Sequence, residues 1–195
     1  MFNQSIQEKW NLRYSSTKSG VPDAAWVLRT YDYFLPESGQ ALDLACGLGG
    51  NALFLAQKGM DVTGWDISDV AITTLANLGL SRNLAITARV RDVESEPPEP
   101  ESFDVIVVSH FLHLPLFKSL VDALKPEGLV YYQTWSIDRL PESGGPSNPD
   151  FLLQRNELLQ AFSALDVLAF HDEGLTGDCS KGLRGQSAIV ARKPA

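Results

Sequence analysis

A glycine-rich segment in the first quarter of the chain contains the residue types best suited to chemistry. The run Ala41-Leu-Asp-Leu-Ala-Cys-Gly-Leu-Gly-Gly-Asn51 predicts a buried strand, a tight turn and then a helix that ends at Gly59. Glycines let a ligand approach the backbone, and free N–H groups at a helix N-terminus attract anions. Asp43 stands on the strand, where an acid among apolar residues needs a cation or several hydrogen-bond donors. The pattern predicts a nucleotide-type site.

The glycine turn alone leaves alternatives open. The run from Gly47 to Ala52 also fits the dinucleotide pattern G-x-G-x-x-A, with Asp66 about twenty residues further on. A third interpretation is a tight turn without a ligand in an α/β protein. The remaining elements of the chain must decide between these interpretations.

The bulk composition limits the choice of function. The 195 residues fit one domain, and 44% of them are hydrophobic, which disfavours disorder. The net charge of −8 disfavours a nucleic-acid partner. Cys46 and Cys179 do not predict a disulfide, and no Cys/His cluster has metal-ligand spacing. We predict no signal peptide and no membrane span, and we expect a cytoplasmic monomer or homodimer.

Strands and helices alternate from residue 40 onward, which predicts a parallel sheet between two helical layers. The predicted strands are 41–45, 61–66, 84–91, 103–109, 129–135, 165–171 and 186–192, and the predicted helices are 50–58, 68–79, 114–124 and 151–162. The loop 172–183 is too short for a crossover helix, so the last strand should run antiparallel. Residues 1–35 predict a helical cover, with a helix over 3–14 and a second one that Asp23 caps. The whole chain, 1–195, is predicted to be one domain with its core at 40–195.

Several motifs at these positions resemble the class I methyltransferases that bind S-adenosylmethionine. Asp43-Leu-Ala-Cys-Gly-Leu-Gly49 resembles the motif D-x-G-x-G-x-G, with Ala45 in place of the first glycine. This alanine either narrows the pocket or keeps a negative φ. The segment 10–14, Trp-Asn-Leu-Arg-Tyr, is similar to the W-x-x-R-Y of the tellurite-resistance and thiopurine branch. The resemblance implies a Rossmann-like α/β fold whose seven-stranded, mostly parallel sheet has the order 3-2-1-4-5-7-6 and helices on both faces.

The resemblance also implies roles for individual residues in cofactor binding. Asp43 would face the positive end of the cofactor, or would instead hold the N–H groups of its own turn. Arg13 would clamp the carboxylate, Asp66 would accept the ribose hydroxyls, and Asp92 would accept from the adenine amino group. Arg13 as a surface residue and Asp92 as a loop acid or helix cap remain alternatives. The full predicted cofactor site comprises Arg13, Asp43, Ala45, Cys46, Gly47, Gly49, Asp66, Ile67, Asp92, Val93 and Ser109.

Methyl transfer to a small acceptor is the function that the resemblance implies. His110 follows the fourth strand at the methyl end of the site, and Arg184 precedes the last strand. Both are predicted to contact an anionic or thiol-like acceptor, such as a tellurite- or selenite-like oxyanion or a thiol, with structural roles as alternatives. Two other functions compete with methyl transfer. The protein could bind or modify S-adenosylmethionine without catalysing methyl transfer, or it could be an NAD-dependent oxidoreductase. The oxidoreductase predicts an apolar residue in place of Asp43 and no antiparallel last strand.

Overall fold

The computed structural model describes residues 4–16, 20–140 and 144–195. Its centre is a seven-stranded sheet with the order β3-β2-β1-β4-β5-β7-β6. The strands are β1 Gln40–Leu44, β2 Asp61–Asp66, β3 Ile86–Val90, β4 Phe103–Ser109, β5 Leu124–Trp135, β6 Asp166–His171 and β7 Gln186–Arg192. The predicted strand order and fold class are confirmed.

The last strand runs against its neighbours. β7 pairs antiparallel with both β5 and β6, whereas the other neighbouring strands pair in parallel. The chain between β6 and β7 contains no helix, so the two strands form a wide hairpin as the loop length predicts. Parallel β1, β2, β3 and β4 place their carboxyl ends at one edge of the sheet, where open α/β folds bind ligands.

Helices cover both faces of the sheet, because the side chains of each central strand alternate between two apolar clusters. Ala41, Val105 and Val107 belong to one cluster, and Leu42 and Ile106 to the other. The first face carries residues of the short helix α2 and of α3 and α4, and the second carries residues of α5 and α6. The helices are α1 Gln4–Ser15, α2 Trp26–Thr30, α3 Gly50–Gln57, α4 Asp69–Ser81, α5 Phe117–Ala123 and α6 Glu157–Ala161.

Two predicted helices are shorter than expected. The second helix of the cover spans only Trp26–Thr30, and Asp23 does not cap it. The N–H groups at its start instead donate to side chains of other elements: Ala25 N–H to Asn51 Oδ1 and Val27 N–H to Gln133 Oε1, each over 2.8 Å. Tertiary contacts therefore replace the local cap.

The second shortened helix is the one predicted over 151–162. It is reduced to α6, because Leu153 pairs with the end of β5 through a donated N–H to Trp135 O and an accepted bond from Ile137 N–H. A residue engaged in such a bridge cannot also belong to a helical hydrogen-bond ladder. Residues 125–128, which precede the predicted strand 129–135, also belong to β5, where the pairing with β4 shifts register.

The predicted cover lies partly outside the described residues, which omit 1–3 and 17–19. The same holds for an insert over 138–149 after β5, of which 141–143 are not described. Within the described ranges, no helix combines the length and the apolar character needed to cross a bilayer. Those same ranges contain no group of three or more histidine, cysteine or acidic side chains placed to hold a metal ion.

Candidate functional site

The glycine turn after β1 has an alternating backbone conformation. Ala45, Gly47 and Gly49 have φ values of +54°, +52° and +85°, whereas Cys46 and Leu48 do not have positive φ. Such alternation makes successive N–H groups converge into a concavity that binds anions. Among the residues that the structure describes, none accepts from the Leu48 N–H. The expectation that Ala45 keeps a negative φ is wrong, because the turn requires the left-handed conformation that its replaced glycine would adopt freely.

Asp43 binds the groups that begin helix α3. It is fully buried and accepts from Asn51 Nδ2 over 3.1 Å and from the Ala52 N–H over 2.9 Å. Burial raises the pKa of Asp43 to about 7, although these two hydrogen bonds oppose the rise. The alternative role, in which the carboxylate holds the N–H groups of its own turn, is therefore present in the structure. Direct contact with a cofactor stays a prediction.

Asn51 extends this arrangement to two other elements. Its Nδ2 also donates to Ser109 Oγ over 2.9 Å, and its Oδ1 accepts from the Ala25 N–H. Ser109 is the last residue of β4, so one buried amide connects β1, β4, α3 and the N-terminal cover. Asn51 was not among the predicted site residues. Its position at the start of a helix, directly after the glycines, was the available signal.

Asp66 closes the glycine turn from the neighbouring strand. Its Oδ2 accepts from the Gly47 N–H over 2.8 Å and its Oδ1 accepts from the Ser68 N–H over 2.9 Å. The side chain is 5% exposed, and burial raises its pKa despite these bonds. Each carboxylate oxygen keeps a second lone pair, so the geometry leaves Asp66 able to accept from hydroxyl groups.

The N-terminal helix α1 lies over this turn. A Cβ added to Gly47 would lie 3.0 Å from the Tyr14 hydroxyl, and burial, together with the charge of Asp66, raises the pKa of Tyr14. Asn11 fixes the helix by accepting from Ser68 Oγ and donating to Asp69 Oδ1, each over 2.5 Å. Tyr14 belongs to the segment that resembles W-x-x-R-Y, but it was not predicted as a site residue.

The predicted cofactor clamp, Arg13, lies on the exposed side of α1. Its guanidinium carbon is 5.2 Å from the centroid of the Trp10 ring. Cys46, by contrast, is buried behind the turn, and its N–H donates to Trp65 O. Burial holds the pKa of the Cys46 thiol well above its usual value, so the residue is suited to packing and not to nucleophilic chemistry.

The predicted adenine-binding residues follow β2 and β3. Asp92 is 9% exposed and accepts from the Glu94 N–H over 3.2 Å, which matches the alternative role of a loop acid. Val93 is buried in the apolar cluster on the far face of the sheet, and Ile67 is half-buried after β2. These side chains lie at the same edge of the sheet as Asp43 and Asp66. Their contact with adenine stays a prediction.

His110 marks the other end of the site. It follows β4 with a φ of +55°, and its backbone N–H donates to Gln133 O. Its ring centroid is 5.5 Å from that of Trp135, and its Nε2 is 3.2 Å from Gln186 Oε1. Desolvation lowers the pKa of His110, while the bond to Gln186 opposes that change. Desolvation thus favours the neutral imidazole, which does not attract an anionic acceptor as an imidazolium would.

Arg184 serves the loop between β6 and β7 in this structure. Its guanidinium donates to the backbone oxygens of several loop residues and lies 2.9 Å from Glu173 Oε2. All three of its nitrogens have acceptors inside the loop. This geometry matches a structural role, and contact between Arg184 and an acceptor molecule stays a prediction. His113, three residues after His110, has its Nδ1 3.7 Å from Glu94 Oε1.

Comparison with known proteins agrees with this geometry. Residues 41–128 match the model of a family described as a methyltransferase domain. A putative methyltransferase, YqeM, of Bacillus subtilis is 30% identical over 138 residues, which are 66% of this chain and 55% of that protein. A probable S-adenosyl-L-methionine-dependent methyltransferase, TehB, of Haemophilus influenzae strain 10810 is 37% identical over 141 residues, which are 68% of this chain and 48% of that protein. The chain thus spans about half the length of these relatives.

The crystal structure of TehB from Haemophilus influenzae has the same fold. It superposes with a TM-score of 0.71 at 22% identity, over 94% of this chain and 67% of that one. The predicted resemblance to the class I methyltransferases, and within them to the tellurite-resistance-type branch, is confirmed. The TehB relative is by its name S-adenosylmethionine-dependent, which agrees with the cofactor predicted from the sequence.

Proposed function

We propose that this protein transfers a methyl group from S-adenosylmethionine to a small-molecule acceptor. The observation that carries the proposal is the charge pattern of the glycine turn. The N–H of Leu48 faces no protein acceptor in the described residues, yet the buried carboxylates of Asp43 and Asp66 flank the turn. A zwitterionic amino-acid group needs both an anion site and nearby negative charge. The pyrophosphate of a dinucleotide would instead be repelled by Asp43 and Asp66 in their ionised forms.

In this proposal, different residues of the turn and of the adjoining strands bind different parts of the cofactor. The Leu48 N–H would bind the carboxylate, and Asp66 would accept the ribose hydroxyls. Asp92, Val93 and Ile67 would surround the adenine. Asp43 acts through Asn51 and the start of α3, because it has no exposed surface. Bound there, the cofactor supplies an electrophilic methyl group on a sulfonium.

The acceptor would bind at the end of the site that His110 marks. The Trp135 ring lies beside His110 at this end of the site. The insert after β5 packs against the same ring, because a Cβ added to Gly145 would lie 2.6 Å from the indole. A groove of about 440 Å³ lined by Ile137, Asp138, Gln154 and Arg155 adjoins the insert. This volume lies in the range of small-molecule sites.

The acceptor class that we propose is a soft nucleophile, either thiol-like or an oxyanion of the tellurite or selenite type. The resemblance to the TehB branch supports it, and the net charge of −8 disfavours a polyanionic macromolecule as the acceptor. We also propose that residues 1–35 are a cover on a single methyltransferase domain whose core is 40–195, in a cytoplasmic monomer or homodimer.

Transfer of label from methyl-labelled S-adenosylmethionine to a panel of thiols, alcohols and oxyanions tests the proposal. We expect labelled product with at least one small acceptor, and loss of that product in Asp66→Ala. Asp150→Ala is the matched control, because Asp150 is exposed and distant from the turn in the chain. Cofactor binding without transfer to any acceptor would favour the non-catalytic alternative, and failure to bind the cofactor would refute the proposal.

A further inference from the structure

An ordered chain of hydrogen bonds runs from the N-terminal cover to His110. The Val27 N–H lies 2.8 Å from Gln133 Oε1, and a backbone N–H can only donate. The amide oxygen of Gln133 must therefore face Val27, which leaves Gln133 Nε2 as the donor on the other side. Gln133 is 2% exposed, so no bulk water competes for this orientation.

The orientation of the Gln133 amide determines that of the Gln186 amide. Gln133 Nε2 lies 2.7 Å from Gln186 Oε1, and since Nε2 donates, the atom of Gln186 that faces it must be the oxygen. The same oxygen lies 3.2 Å from His110 Nε2. An amide oxygen only accepts, so His110 Nε2 must carry the proton. His110 Nδ1 is then a lone-pair acceptor, and it has no hydrogen-bond partner within the described part of the chain.

We infer that Gln133 and Gln186 are positioning residues that hold His110 in its Nε2–H tautomer, so that Nδ1 accepts the proton of a thiol or hydroxyl acceptor. This inference rests on the proposed methyl transfer and narrows its acceptor class. A neutral imidazole with an exposed lone pair binds a group that has a proton to give. It has no donor to offer an oxyanion at Nδ1. Nδ1 therefore favours an acceptor that carries a proton, such as a thiol or an alcohol, over a fully deprotonated oxyanion.

The corresponding step balances in atoms and electrons. The acceptor X–H gives its proton to His110 Nδ1, and the electron pair of X forms a bond to the methyl carbon. The bond between that carbon and the sulfonium sulfur of the cofactor breaks, and its electron pair stays on sulfur as a neutral thioether. The imidazolium then loses the proton to solvent, which returns His110 to the Nε2–H form that Gln186 favours.

Nitrogen NMR of the histidine side chains tests the tautomer without any need for activity. In the wild-type protein at neutral pH, we expect His110 to show a protonated Nε2 and an unprotonated Nδ1. An Nδ1–H tautomer or an imidazolium would overturn the inference. In Gln186→Met, which removes the amide but keeps the length, we expect exchange between the two tautomers. Gln186→Glu restores an acceptor and should restore the single Nε2–H form.

Kinetics of the same variants separate positioning from folding. We expect Gln186→Met to lower kcat for a thiol or alcohol by roughly 10-fold or more, with the Kd for S-adenosylmethionine unchanged and with rescue by Gln186→Glu. Gln160→Met on the exposed side of α6 is the matched control. Equal kcat values in Gln186→Met and wild type would overturn the positioning role.

The acceptor class is tested with a variant that keeps the backbone of His110. His110→Asn suits the positive φ at this position and removes the base. We expect it to slow transfer to thiols or alcohols by about 10²-fold or more, the scale for loss of a general base. Methylation of oxyanions alone, at a rate that His110→Asn does not change, would overturn the inference. If the NMR result holds but no acceptor is methylated, it is the proposed function that fails.

Discussion

Gly50→Ala tests how the N-terminal cover is held on the site. Gly50 is the first residue of α3 and does not have a positive φ, so alanine is conformationally acceptable there. An added Cβ would nevertheless lie 2.4 Å from Pro22 O and 2.9 Å from Asp23 O. Both atoms are backbone, and they cannot rotate away as a side chain would. The segment that leads into α2 must therefore move.

The expected magnitude follows from opposing terms. Alanine in place of glycine favours a helix by up to about 1 kcal/mol. Forcing one extra carbon into a filled contact costs about 1–3 kcal/mol. Displacement of the segment also strains the bond from Ala25 N–H to Asn51, worth about 1 kcal/mol. We expect a net loss of about 1–3 kcal/mol in the free energy of unfolding, which lowers Tm by roughly 2–4 °C per kcal/mol at this chain length.

Urea denaturation and thermal melts of Gly50→Ala and Gly79→Ala measure this difference. Gly79 lies inside α4, also without positive φ, and its added Cβ would meet only the Ile86 side chain at 3.3 Å. We expect Gly79→Ala to change stability by less than about 1 kcal/mol, because helix propensity and mild crowding offset each other. A Gly50→Ala protein as stable as wild type, or more stable, would refute the packing of the cover on α3.

Three further predictions concern the turn itself. Ala45→Gly should stabilise the fold by roughly 0.5–1 kcal/mol in urea titrations, because it relieves the left-handed φ of +54°; a loss of stability would contradict that strain. Asp66→Ala should weaken S-adenosylmethionine binding by roughly 1–3 kcal/mol in calorimetry, with Asp150→Ala unchanged, and an unaltered Kd would remove Asp66 from the ribose site. Because burial raises the folded pKa of Asp43 to about 7 from 3.8, its neutral form adds stability below about pH 4, and this stability is lost as pH rises through about 7. The free energy of unfolding of wild type relative to Asp43→Asn should therefore fall between pH 5 and 7.5, and a difference independent of pH would show that Asp43 titrates normally.

The strands were predictable from the sequence because each central one is a short apolar run bounded by turn residues. The predicted bounds of β2, β4 and β7 match the structure. The shortened α2 was not predictable, because side chains from α3 and β5 satisfy its first N–H groups. Leu153 likewise lies outside the shortened helix, because it forms a β-bridge with the end of β5. Local helix propensity does not predict such a long-range contact.

The acidic residues of the candidate site could be picked out from the sequence, but their hydrogen bonds could not. Asp43 and Asp66, near the ends of β1 and β2, and Asp92 after β3 could be found, because a charged residue beside apolar strands must be paired or hydrogen-bonded. The hydrogen bond from the Gly47 N–H, in the turn after β1, to Asp66 on β2 could be seen only in the structure. The roles of Gln133 and Gln186 could not be predicted, because each is an ordinary polar residue within its strand. Only the pairing register of β5 and β7 places their side chains beside His110.

Calorimetric titration of the wild-type protein with S-adenosylmethionine and, separately, with NAD tests the central claim most directly. The account predicts saturable binding of S-adenosylmethionine with a rise in Tm, since a ligand that binds only the folded state stabilises it. It predicts no binding of NAD, whose pyrophosphate would approach the buried carboxylate of Asp43. Binding of NAD together with no binding of S-adenosylmethionine would contradict the account.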